Sequence, residues 1–281
     1  KGVQDTGMPS LVIAALRLTC ASLVLAPITL ASARRRAELF NLTRRDALLA
    51  VGAGLFLGLH FAAWVTSLQF TTIASSTVFV STAPLFVAVF SFILWRERFG
   101  AWLIGGLILA SIGGAAIGLA DACSLAGLSL TCPPWAEFAR GPAIVGDALA
   151  LVGAGGMAGY LLIGRSLRSK LSLLTYIFLS YGGAAITLLM AAFAARQPLL
   201  GHSFTAYAGI ALLALVPQLV GHSAFNWALR YLSAAYVSVT ILGEPIGSTV
   251  LAYFIRHETP PTLKLIGGGL ILVGILIASR R

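Results

Sequence analysis

The sequence predicts an all-α integral membrane protein of nine transmembrane helices arranged as two inverted repeats. Three observations carry that expectation. The 281 residues are 58% hydrophobic and 10% charged, with a mean hydropathy of +0.94, whereas a soluble domain is about a quarter charged. Nine apolar spans succeed one another, each near the ~20 residues a helix needs to cross a ~30 Å hydrocarbon core. Finally, residues 67–98 return at 228–259, a constant 161 positions later. In that register Leu68 falls on Leu229, Phe70 on Tyr231, Pro84 on Pro245 and Glu97 on Glu258.

In order, the spans read 10–32, 47–69, 72–94, 100–120, 143–164, 173–194, 204–228, 233–255 and 262–279. The net charge of +10 does not call for nucleic acid, because the basic residues belong in cytoplasmic loops. With the loop 33–46 inside, so are Arg34, Arg35, Arg36, Arg44, Arg45, Arg96, Arg98, Arg165, Arg168, Lys170, Arg230, Arg280 and Arg281, thirteen of the 19 Lys and Arg. Lys1, Arg140, Arg196, Arg256 and Lys264 fall outside, and Arg17 lies within a span. This bias predicts a cytoplasmic C-terminus and an inner (plasma) membrane protein, bacterial by expectation.

The orientation makes the repeats inverted: Glu97 closes its helix at the inner face and Glu258 closes its own at the outer face. Two proline-broken apolar segments at matching points of two halves are a secondary transporter's signature. The domains expected are a first repeat over 1–120, an outer loop over 121–142 and a second repeat over 143–281. The first holds four spans and the second five. MPSLVIAALR at 8–17 aligns with LSLLTYIFLS at 171–180, so the first span here matches the second of its half. A parent of ten helices, with one more ahead of Lys1, is the expectation.

These stretches resemble the EamA family of the drug/metabolite transporter superfamily. The residues that carry the likeness are PSLVIAALRLTCASLVL with its arginine, LQFTTIASSTVFVSTAPLFVAVFSFILWRERF, GDALALVGAGGMAGYLLIGRSL and ALRYLSAAYVSVTILGEPIGSTVLAYFIRHE. The resemblance implies ten-helix exporters of amino acids and related metabolites. Relatives move nucleotide sugars, sugar phosphates or toxic amines, so it leaves the substrate open.

Polar residues inside spans are expensive and should face the bundle interior or water. Gln218, His222 and Asn226 stand four apart on one helix face, with Trp227 beside them, and His60 and Trp64 repeat the spacing in the first half. Together they are the expected lining of a substrate cavity. Its alternative is a set of interhelical hydrogen bonds. Glu244 is the only acid at the centre of a span and the candidate for coupling to H⁺ or Na⁺, since burial would favour its neutral form. Pro84 and Pro245 are the expected helix kinks. Arg17 is expected to find a structural partner, and with Glu97 and Glu258 is taken as a structural charge. Asp147 reads as a helix N-cap, Trp95 and Trp102 as interface anchors. Cys123 and Cys132 share the outer loop and are disulfide candidates, while Cys20 reads as a small apolar filler.

No GxxxxGK[ST] loop and no metal-binding His/Cys spacing occurs, so neither a cofactor nor a metal is expected. A membrane enzyme using Glu244 and His222 would need a nucleophile and oxyanion donors, which no motif supplies. The expected partners are the lipid bilayer, a small-molecule substrate and H⁺, with no nucleic acid, in a monomer or homodimer.

Overall fold

The computed structural model describes residues 3, 6–120, 123–126, 129–134, 142–257 and 259–280. Glu258, Arg140 and Arg281 therefore lie outside the described residues, as does the side chain of Arg256. The helices are α1 (Ser10–Ala31), α2 (Ala33–Phe40), α3 (Arg44–Ser67), α4 (Ile73–Val80), α5 (Ala83–Trp95), α6 (Ala101–Leu119), α7 (Pro142–Arg168), α8 (Leu173–Ala194) and α9 (Phe204–Leu213). A π-helical segment, Ala214–His222, joins α9 to α10 (Ser223–Ala228), followed by α11 (Ala234–Ile241), α12 (Glu244–Arg256) and α13 (Thr262–Ala278).

The protein is an all-α integral membrane protein. Among the described residues eight helical spans have the length and apolarity to cross a bilayer. Thr262–Ala278 is apolar but only 17 residues long, so the ninth span falls short of that standard. The regular structure other than helix among the described residues is a hairpin, β1 (Ser124–Ala126) on β2 (Ser129–Thr131), in register Leu125↔Leu130. A Cys123–Cys132 disulfide closes it at the base.

The repeat is visible in the boundaries themselves. The helices α4 and α5 end and begin 161 residues before α11 and α12 at every terminus. Helix α5 stops at a left-handed Arg96 (φ 51°), and its equivalent His257 has φ 55°. The predicted kinks are complete breaks. Pro84 and Pro245 are each the second residue of a new helix, where a missing N–H costs no hydrogen bond. Matching bonds, Leu85 N to Thr82 O and Ile246 N to Gly243 O, open both new helices.

Span 204–228 also differs from the uniform helix expected. Pro217 within it cannot donate and crowds the carbonyl four residues back. The backbone takes the wider i→i+5 register across 214–222 instead. Such π segments occur often at functional sites.

Two compact units combine segments from both sequence halves: Lys1–Val65 with Gly159–Ser233, and Thr66–Ala158 with Ala234–Arg281. In the first unit α1 packs along α8. Gly54 of α3 meets Gly183 and Gly58 meets Thr187, so this pair with three residues between lets α3 approach α8 closely. Outside the spans, α2 is docked by Glu38, which accepts from Ser172 Oγ at 2.7 Å and Ser172 N at 3.0 Å. Thr43 caps α3, receiving the Asp46 N–H and donating to its carboxylate. Lys170 binds the other Asp46 oxygen at 2.7 Å.

In the second unit α6 packs along α13 in antiparallel fashion, Gly106 against Gly274 and Gly113 against Gly267. Asp147 is not the N-cap expected, since α7 already begins at Pro142. Its carboxylate accepts from Thr71 Oγ1 at 2.8 Å and Ser75 Oγ at 2.7 Å, with Gly146 giving Thr71 room to approach. Trp95 and Trp102 are exposed, as interface anchors would be, and Arg280 lies over the Trp102 ring at 5.6 Å.

Candidate functional site

The first unit gathers most of the predicted lining residues, but sorts them into two groups. One is aromatic and cationic. Helical spacing on α3 sets His60 and Trp64 one turn apart, their rings stacked at 5.9 Å, with Phe61 edge-on to His60 at 4.9 Å. Phe61 reaches His222, at the end of the π segment, at 5.9 Å. On α1, Arg17 places its guanidinium over the Phe61 ring at 4.4 Å. The structural partner expected for this cation thus includes a ring face, to which a desolvated guanidinium is attracted.

The other group is a closed polar network around Asn226. Its Oδ1 accepts from Tyr160 at 2.7 Å, while Nδ2 donates to Tyr181 Oη at 3.2 Å and to the His222 carbonyl at 2.9 Å. Arg168 donates to the Asn226 backbone carbonyl at 2.9 Å and to that of Leu171. This asparagine spends its donors and acceptor on α7, α8 and its own helix, which is what an interhelical staple does. Tyr181 and Ser223 share a hydroxyl contact of 3.2 Å, and both face the Gln218 carbonyl. The side-chain amide of Gln218 is wholly buried and makes no hydrogen bond among the described residues.

Trp227 is not brought into either group. It is 55% exposed and packs on Tyr231 at 5.0 Å. Glu244 belongs to the second unit and is exposed, not buried as expected. The helix break bears on this: Glu244 is the first residue of α12, at a terminus whose unpaired N–H groups suit a carboxylate, and not a mid-helix side chain. Glu97 follows the left-handed turn at Arg96, its N–H directed to the Ser91 carbonyl.

Sequence reasoning missed Tyr160, Tyr181 and Arg168. The chain has seven tyrosines, and a hydroxyl in mid-span needs a partner, which is the signal that could have found two of them. Arg168 gave none: it reads as an inner-loop charge, but α7 runs four residues past the span's expected end and buries it.

A profile of the EamA-like transporter family matches residues 2–119 and 144–280. The chain belongs to that family. It is thus a membrane transporter for a small-molecule substrate, embedded in the lipid bilayer. An uncharacterized transporter of Archaeoglobus fulgidus is 26% identical over 99% of this chain and 90% of its own length. Inner membrane protein YtfF of Escherichia coli is 27% identical over 87% and 79%. A probable terminal-alkyne amino-acid exporter of Streptantibioticus cattleyicolor is 30% identical over 30% of each chain. A crystal structure with 17% identity superposes on this EamA protein with a TM-score of 0.76, covering 99% of it and 90% of the other chain.

Proposed function

We propose that this EamA protein is a secondary exporter of small amphipathic metabolites such as amino acids. It works by alternating access around a site lined by His60, Trp64, Gln218 and His222. The carrying observation is the grouping of imidazole, indole and phenyl rings with one guanidinium on facing helices of the first unit. Rings suit the apolar part of a solute, and imidazole nitrogens and an amide suit its polar head. The exporter relative named for an amino acid supports the substrate class, and the inner-membrane relative supports the location. The arginine bias supports a cytoplasmic C-terminus. A nucleotide-sugar or phosphate carrier would want several cations, and the group has Arg17 alone.

The test is efflux of labelled metabolites from cells making the chain. His222→Ala and Trp64→Ala should each lose most of that efflux at normal surface expression; unchanged rates in both would move the lining elsewhere. Coupling to H⁺ at Glu244 is a second element of the reading, with uniport as its rival. Its place at the break between α11 and α12 supports a specialised role for the carboxylate. Glu244→Gln should abolish accumulation driven by a pH gradient and leave solute-for-solute exchange intact. Accumulation equal to that of the parent chain excludes coupling there.

A further inference from the structure

Helix α2 is not a product of the repeat. At the 161-residue offset its place is taken by residues 194–201, where Pro198 stands for Ala37 and forbids a helix interior. Ala195 and Gln197 stand there for Arg34 and Arg36. The helix is thus added at one end of the bundle, in a stretch with five arginines between residues 34 and 45. It starts a single residue after the membrane span α1 ends, which holds it at the bilayer surface.

Its two faces differ. The docked face carries Arg35, Glu38 and Leu39. Arg35 donates to the Ile28 carbonyl near the end of α1, and Glu38 binds Ser172 at the start of α8. On the other face Ala33, Ala37 and Phe40 stand at i, i+4 and i+7 and are all exposed, Phe40 at 81%. A face turned to water would be polar. Exposed Arg34 and Arg36 flank this apolar stripe on either side, as snorkelling cations flank an apolar face at a lipid interface.

Charge selects the lipid. Arg44 and Arg45 are exposed and are the first two residues of α3, the helix end whose dipole disfavours a cation. An external anion at that point would offset the cost. The described acids of this unit are already engaged, Glu38 by Ser172 and Arg34, and Asp46 by Lys170 and Thr43. Asp5 lies outside the described residues and precedes α1, whose 22 residues span about 33 Å before α2 begins.

We propose that the exposed face of α2, with Arg44 and Arg45, is a binding surface for anionic phospholipid headgroups, Phe40 reaching into the acyl chains beneath them. Because α2 bridges the end of α1 and the start of α8, a bound lipid stabilises that helix pair. The surface is the same whichever side of the bilayer α2 occupies, and it stands or falls apart from the exporter reading.

The experiment uses the full chain, purified and delipidated in a neutral detergent, where membrane sidedness has no influence. It is titrated with dioctanoyl phosphatidylglycerol or dioctanoyl phosphatidylcholine, and bound lipid is read by native mass spectrometry beside the thermal midpoint. The parent chain should bind phosphatidylglycerol the more tightly, and its midpoint should rise with that lipid. Arg44→Gln and Arg45→Gln should each weaken phosphatidylglycerol about 5-fold, and together about 25-fold, leaving phosphatidylcholine unchanged. Phe40→Ser should weaken both lipids alike. Arg96→Gln with Arg98→Gln, the same loss of charge in the other unit, should keep the parent's preference. Equal affinity of the parent chain for the two lipids overturns the proposal. So does parental phosphatidylglycerol affinity in either single arginine variant, or an equal loss in the Arg96 and Arg98 control.

Discussion

Gly113 of α6 lies against Gly267 of α13 at backbone contact. A Cβ on Gly113 would stand 2.6 Å from the Gly267 carbonyl oxygen, and one on Gly267 would stand 2.7 Å from the Gly113 carbonyl oxygen. Gly106 and Gly274 repeat the contact, and each of these glycines sits 161 positions from a glycine of the other pair. Repeat-related helices thus meet antiparallel, as an inverted pair would. Gly113→Ala should cost about 1–3 kcal/mol through overpacking. Gly105→Ala on the same helix, with nothing within 4 Å of its Cβ, should be neutral or slightly stabilising. Thermal midpoints in one detergent compare them.

Glu38 makes the docking of α2 acid-sensitive. Partial burial raises its pKa, but the Ser172 and Thr175 hydroxyls, the Ser172 N–H and the Arg34 charge together outweigh burial and hold it below the ordinary carboxylate range. The folded value is depressed, so the contribution is complete above the unfolded carboxylate pKa and is lost as pH falls through the folded one. The thermal midpoint should therefore drop on acidification below the usual carboxylate range. Glu38→Gln should be less stable at neutral pH and should show a shallower drop. An identical pH profile in the variant would show that the carboxylate does not stabilise the fold.

The removal of Asn226 should be felt as stability. Asn226→Leu leaves the Tyr160 hydroxyl and the His222 carbonyl without their partner, at a cost of roughly 1–3 kcal/mol. Tyr160→Phe should cost less, since it deletes a donor and leaves one acceptor. Thermal unfolding reads both, and the order of the two is the diagnostic.

How much of this was legible beforehand follows from what lipid demands. The spans were, because chain length and apolarity alone decide what crosses a bilayer. The repeat was, because Pro84 and Pro245 mark the same backbone event. Whether that event is a kink or a full break was not, since both leave proline in the same place. The site was half legible. Spacing grouped His60 with Trp64 and Gln218 with Asn226, but a helix face says nothing of which partners the neighbouring helices bring. Tyr160 and Tyr181 turned Asn226 into a staple and left Gln218 alone. The π segment hides for a similar reason: Pro217 announces a disturbance without naming its form.

The hairpin loop offers a chemical check on sidedness. The chain has three cysteines, and Cys123 and Cys132 are joined, as the proposed placement of this loop on an oxidising side would allow. Maleimide under denaturing conditions should add once, at Cys20, before reduction and three times after it. Three adducts without reduction would place the loop in a reducing space and reverse the topology.

The proposed function requires that a small amphipathic solute cross the bilayer unchanged and without a nucleotide. Exchange in sealed proteoliposomes, free of ATP, is the decisive measurement. Unlabelled amino acids trapped inside should accelerate uptake of the tritiated mixture from outside, and the label recovered inside should be chemically intact. Label that enters at the rate of protein-free vesicles, or that is recovered as a new compound in proportion to the protein, would rule out carriage of the solute.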